Sequence, residues 1–199
     1  QIIDETSIPY GVMVQISGAI EDQMEAFMDI TFLIVVSLIL VYLVMASQFE
    51  SLKMPLIIMV AIPFAFSGVA IALFITNTTL SVISAIGAVM LIGIVVKNSI
   101  VLVDFINLMR ERGYELYEAV EFSGRSRLRP VLMTSATTIL GMLPLALSTG
   151  SGSELWKPMG IAVIGGLVFS TILTLVVVPV IYVLFARRGE RNRNLAVYS

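Results

Sequence analysis

Five apolar stretches, at residues 30–46, 55–76, 80–106, 130–147 and 158–185, narrow most what this chain can fold into. A helix rises about 1.5 Å per residue and a bilayer's hydrocarbon core is about 30 Å thick, so each run is long enough, or nearly so, to cross it as a helix. A hydrophobic fraction of 58% against 13% charged residues places the chain among membrane proteins rather than soluble domains of its size. The expected fold is therefore an all-α membrane protein with five transmembrane helices. Pro63 in the second run removes one backbone donor, which a membrane helix tolerates when its neighbours compensate.

The flanks carry different patterns. Before the first run, Val12, Val14 and Ile16 alternate with Met13, Gln15 and Ser17, the period of two expected of a half-buried strand. One strand is too short to stand alone, so residues 1–20 are expected to end a soluble domain whose remainder lies elsewhere in a longer polypeptide. Residues 21–29 mix Glu21, Asp22, Glu25 and Asp29 with Met24, Phe27 and Met28, an amphipathic helical lead into the membrane. Between the third and fourth runs, residues 110–125 read as an interfacial helix on the cytoplasmic surface, and residues 187–199 as a basic cytoplasmic tail.

Basic residues set the orientation. In a five-span layout Lys53, Arg110, Arg112, Arg125, Arg127, Arg129, Arg187, Arg188, Arg191 and Arg193 fall on one side, and only Lys157 falls on the other. The excess of Lys and Arg marks the cytoplasmic side, so the amino-terminal end is expected outside and the tail inside. In the fifth run Ala162, Gly166, Ser170 and Thr174 recur every fourth position, a stripe that lets helices approach closely.

One charge lies well inside a run. Lys97 sits within residues 80–105, which as a helix would be about 39 Å long. An ammonium near the centre of a membrane helix costs roughly 2.5–3.5 kcal/mol on insertion scales, so it needs an acid, a wet cavity or a function. Snorkelling to the interface would take the side chain about two turns, roughly 11 Å, a strained reach for four methylenes. Asp104 shares its helical face but lies two turns on, too far to pair directly, while the adjacent Asn98 offers only an uncharged group. No other acid lies inside an apolar run. The counter-charge must come from a segment outside these residues. In the fourth run Thr134, Ser135, Thr137 and Thr138 could meet Lys97, although such hydroxyls often bond their own backbone carbonyls. Thr134 is placed at the right depth, and Arg127 lies seven positions earlier on the same face, where a plain positive-inside anchor is the competing reading.

With neither cysteine nor histidine, disulfides, thiolate chemistry and the usual transition-metal ligands are missing, and no metal site or cofactor is expected.

Three segments together, MASQFESLKMPLIIMVAIP, GIVVKNSIVLVDF and RLRPVLMTSATTILGMLPLALSTGSG, resemble the carboxy-terminal half of resistance-nodulation-division (RND) multidrug efflux pumps of the hydrophobe/amphiphile type. The resemblance covers nearly the whole chain. It implies a secondary transporter rather than an enzyme, with residues 1–20 as the end of a periplasmic porter domain and residues 30–186 as part of an RND transmembrane domain. It also implies drug:proton antiport in the bacterial inner membrane, with protons as the coupling ion. Carried over by motif, Lys97 of the KN pair would neighbour two aspartates on a helix of the missing amino-terminal half. Arg127, the first arginine of RLRP, would lie on the cytoplasmic side of the proton route. Thr134 of MTS would be a hydrogen-bonding member of the relay, and Asp104 a position that is acidic in relatives; Asn98, beside Lys97, is with Thr134 a candidate acceptor for the ammonium once its acid is neutralised. The implied partners are two further copies in a homotrimer, a periplasmic adaptor (membrane fusion) protein, an outer-membrane channel, the lipid bilayer and hydrophobic drug-like substrates, with no nucleic acid. Two other readings stand beside this one: a non-transporting membrane scaffold, and an RND relative that exports lipids or metal ions. The lack of Cys and His speaks against metal, although a cargo site would lie in the missing domains.

Overall fold

A computed structural model of the protein describes residues 18–197. The strand expected around residues 12–16 lies outside that range. The described chain forms six helices: α1 (Ala19–Phe49), α2 (Lys53–Met59), α3 (Ala61–Ile75), α4 (Val82–Glu111), α5 (Leu116–Ala146) and α6 (Ser153–Val197). Among them are five spans long and apolar enough to cross a membrane, α2 and α3 together making one of them. The all-α membrane architecture read from the sequence is the one found.

The helix ends differ from the hydropathy edges in three places. The amphipathic lead and the first span are one helix of 31 residues, which ends where Glu50 turns into the left-handed region at φ 47°. In the second span, the chain breaks at Val60 between α2 and α3. The cause is Pro63: it cannot donate to the carbonyl four residues earlier, Met59, and its ring crowds that carbonyl. Met59 is the last residue of α2. The interfacial helix expected at residues 110–125 is not a separate element either. Its first residues end α4, a turn through Gly113 at φ 92° follows, and the remainder opens α5, which runs on through Pro130 into the fourth span. Pro130 and Pro144 both lie inside α5, which is continuous through each of them.

Ser81 starts α4 with reciprocal capping. Its hydroxyl accepts from the Ser84 amide at 3.2 Å, and the Ser84 hydroxyl accepts from the Ser81 amide at 2.9 Å, so two donors at the helix end are satisfied inside the turn.

α6 is the hub, packed against α3, α4 and α5. Small side chains make that possible. A Cβ on Gly165 would land on the Ala72 Cβ and 3.1 Å from the Gly68 carbonyl; one on Gly68 would lie 2.9 Å from the Gly165 carbonyl. α3 and α6 therefore touch backbone to backbone at this crossing. The expected stripe is buried throughout, with Ala162, Gly166, Ser170 and Thr174 all inside the bundle. α1 and α5 stay at its margin: 11% of each apolar window is buried, against 50% for α4.

Candidate functional site

Residues three and four apart lie on one face of a helix. On α4 the exposed positions Ile86, Met90, Gly93, Lys97, Val101, Asp104 and Leu108 follow that spacing, so they form one continuous open stripe along the helix. The opposite side is sealed: Leu91 and Val95 are 1% exposed, and Leu102, Val103 and Ile106 are fully buried. The split follows from the sequence, because the sealed positions are almost all aliphatic while both charges of the helix's apolar part sit on the open stripe.

Lys97 is near the middle of α4, about 22 Å from Val82 and about 21 Å from Glu111 at 1.5 Å per residue. Among the described residues, the side chains of Lys97 and Asp104 make no ion pair and no hydrogen bond. Asn98 is half-buried beside Lys97.

Thr134 and Arg127 are on α5. Thr134 is exposed, and its hydroxyl donates to the Val131 carbonyl at 2.9 Å. Thr137 and Thr138 likewise donate to carbonyls one turn back, at 2.8 and 2.9 Å. These are the self-satisfied hydroxyls that the sequence allowed for, so Thr134 and Lys97 are not joined by a bond among the described residues. Ser135 differs. It is buried and shares a hydrogen bond of 2.9 Å with Thr171 of α6.

Arg127 does reach α4. Its guanidinium carbon lies 4.3 Å from the centroid of the Phe105 ring, the residue next to Asp104. This contact ties the α5 arginine to the end of the open stripe. A second cross-link closes the sealed side at the same end of α4: the Tyr182 hydroxyl of α6 donates to Asn107 Oδ1 at 2.7 Å. Neither Phe105, Thr171, Tyr182 nor Asn107 stands out in the sequence, since each looks like an ordinary member of an apolar run or its edge. Only the polar type of Asn107 and Thr171 could have drawn attention to them.

Comparison with known proteins identifies the family of the chain. The description of the AcrB/AcrD/AcrF family matches residues 1–186. The cobalt-zinc-cadmium resistance protein CzcA of Cupriavidus metallidurans is 38% identical over 189 residues, covering 95% of this chain and 18% of its own length. The cation efflux system protein CzcA of an Alcaligenes species matches with the same identity and coverage. Among solved structures, the crystal structure of a heavy metal efflux pump superposes with a TM-score of 0.77 at 35% identity, over 85% of this chain and 17% of that one. The chain thus spans less than a fifth of the length of these relatives.

Proposed function

Because this chain belongs to the AcrB/AcrD/AcrF family and forms part of the membrane region of a resistance-nodulation-division transporter, we propose that it is the half of that region in which proton entry is turned into movement. The observation that carries this reading is the position of Lys97: an ammonium halfway along a membrane helix, on a face the chain itself leaves open, with no acid in reach among the described residues. Such a charge is too costly to be left without a partner in the assembled protein.

The mechanism follows from that cost. An acid on a helix from the rest of the polypeptide faces the α4 stripe and stays ionised while Lys97 is beside it. A proton arriving from outside neutralises the acid, and Lys97 loses its partner. The ammonium then turns to other acceptors, for which Asn98 and the oxygen atoms of Thr134 are the candidates; Asp104 and Arg127, the latter a donor only, stand toward the cytoplasmic end. α4 is sealed against its neighbours on its other side, so a shift at the stripe moves α3 and α6 with it. A two-state packing biased by one charge change is then coupled to cargo export. The chain is a multi-pass protein of the inner membrane; its amino-terminal end is assigned to the periplasm and its tail to the cytoplasm. Assembly as a trimer with a periplasmic adaptor and an outer-membrane channel is the arrangement of RND pumps in general and belongs to the same proposal.

Two cargoes have support. The relatives reported above are named for metal efflux, which favours divalent metal cations. The lack of cysteine and histidine does not oppose this, since it concerns 199 residues and not the cargo-handling domains elsewhere in the polypeptide. The motif resemblance to multidrug pumps keeps hydrophobic drugs as the second reading. A test that separates them uses everted vesicles carrying the full-length transporter and an imposed pH gradient. Zn²⁺ or Co²⁺ should dissipate the gradient if metal is the cargo, and an amphiphilic dye if drugs are. If neither does, with the protein assembled, the exporter reading fails and a scaffold becomes the better account.

A further inference from the structure

Near the Arg110 end of α4, three aromatic rings lie against one another. Phe105 and Phe122 stack with centroids 6.3 Å apart and planes 19° apart, and Tyr114 stacks on Phe122 at 6.0 Å. The Arg127 guanidinium sits over the Phe105 ring at 4.3 Å. Its Nε is buried without a hydrogen-bond partner, as is the hydroxyl of Ser123, one turn earlier on α5. Arg125, on the exposed side of the same helix, instead pairs with Glu121 at 2.7 Å.

These two arginines are held in different ways, and the difference has a physical meaning. A carboxylate partner holds a guanidinium and cancels its charge. A ring face within about 6 Å holds it through the quadrupole and leaves the charge in place. Arginine does not give up its proton in proteins, so Arg127 cannot carry one itself. It can supply a fixed positive field and an N–H donor, and it does so only if it is kept in one orientation. The Ser123 hydroxyl, able both to donate and to accept, is the other unpartnered group on that turn.

We propose that Phe105 is a positioning residue of the relay: its ring, backed by Phe122 and Tyr114, fixes Arg127 at the α4–α5 seam with its charge uncancelled and its Nε–H available beside Ser123. This rests on reading α4 and α5 as the proton route. The stack joins the helix that carries Lys97 to the helix that carries Thr134, so it sets the spacing of the two at one end.

The test uses the full-length transporter in proteoliposomes driven by a pH gradient, with Zn²⁺ or an amphiphilic dye as the transported probe, whichever the wild-type protein moves. Phe105→Leu keeps apolar bulk and removes the ring; it should lower kcat roughly tenfold with KM unchanged. Phe105→Trp, which restores a ring face, should recover most of that loss. In an Arg127→Ala background, Phe105→Leu should cost nothing further. A Phe105→Leu protein that transports at the wild-type rate, or one whose loss adds in full to that of Arg127→Ala, overturns the positioning role. Phe105→Met takes its place if the leucine variant yields no assembled protein, with the same two outcomes. An Arg127→Ala protein that transports normally overturns the relay reading itself, whereas an inactive one beside a fully active Phe105→Leu removes only the role given to Phe105.

Discussion

The two sides of α4 are built on opposite terms. On one, Leu91, Val95, Leu102, Val103 and Ile106 are at most 1% exposed, and even Ser99 turns its hydroxyl to the Val95 carbonyl at 3.0 Å. On the other, Lys97 and Asp104 stand on a partly open face among Ile86, Met90, Val101 and Leu108, which are 36–48% exposed in the described chain. The sealed side is complete within this chain, so its packing accounts for the bundle. The open side makes sense only with a further element laid against it. What holds the fold and what is proposed to perform the function are therefore divided between two faces of one helix, and changes on the two should have different consequences.

The largest effect is expected on the open side. Lys97→Met in the full-length transporter should reduce proton-driven transport to background while the protein still assembles, because the ammonium does nothing for the sealed packing; transport and size-exclusion profiles measured on the same preparation check both halves. On the packed side, Gly165→Val puts a branched side chain where a Cβ already meets the Ala72 Cβ and the Gly68 carbonyl. Overpacking of this kind costs about 1–3 kcal/mol or more, read as a fall of several degrees in the melting temperature in detergent and poorer recovery of folded protein.

Smaller effects sharpen the division. Thr134→Val keeps the shape and removes a hydroxyl whose described bond is only to its own backbone, so stability should change by less than about 0.5 kcal/mol. The relay reading nevertheless predicts slower transport, and an unchanged rate would take Thr134 out of the relay. Ser135→Ala breaks the buried bond to Thr171 and should do the reverse: a stability loss of about 0.6–1.7 kcal/mol by thermal unfolding, with transport close to normal.

The five spans were legible because apolar runs of membrane length have few other fates, and the buried stripe on α6 was legible because small residues at every fourth position serve close packing. The helix boundaries were less so. Hydropathy marks where a chain enters oil, whereas a helix ends where its hydrogen-bond register is interrupted, so α1 and α5 run straight through changes in polarity. At Val60 the opposite holds, and the register breaks inside an unbroken apolar run because of Pro63. At the site, the shared face of Lys97 and Asp104 could be read from their spacing of seven. The meeting of Arg127 with Phe105 could not, since it joins residues of two helices, and neither could the Asn107–Tyr182 and Ser135–Thr171 bonds. Contacts between helices depend on rotation and offset, which no local pattern encodes.

The central claim is that an acid from another part of the polypeptide lies against the open face of α4. An experimental structure of the full-length transporter at neutral pH measures this directly. The account predicts an Asp or Glu oxygen within about 4 Å of Lys97 Nζ, on a helix that covers the stripe from Met90 to Leu108. A Lys97 ammonium facing lipid or headgroup water, with no carboxylate near it, would contradict it.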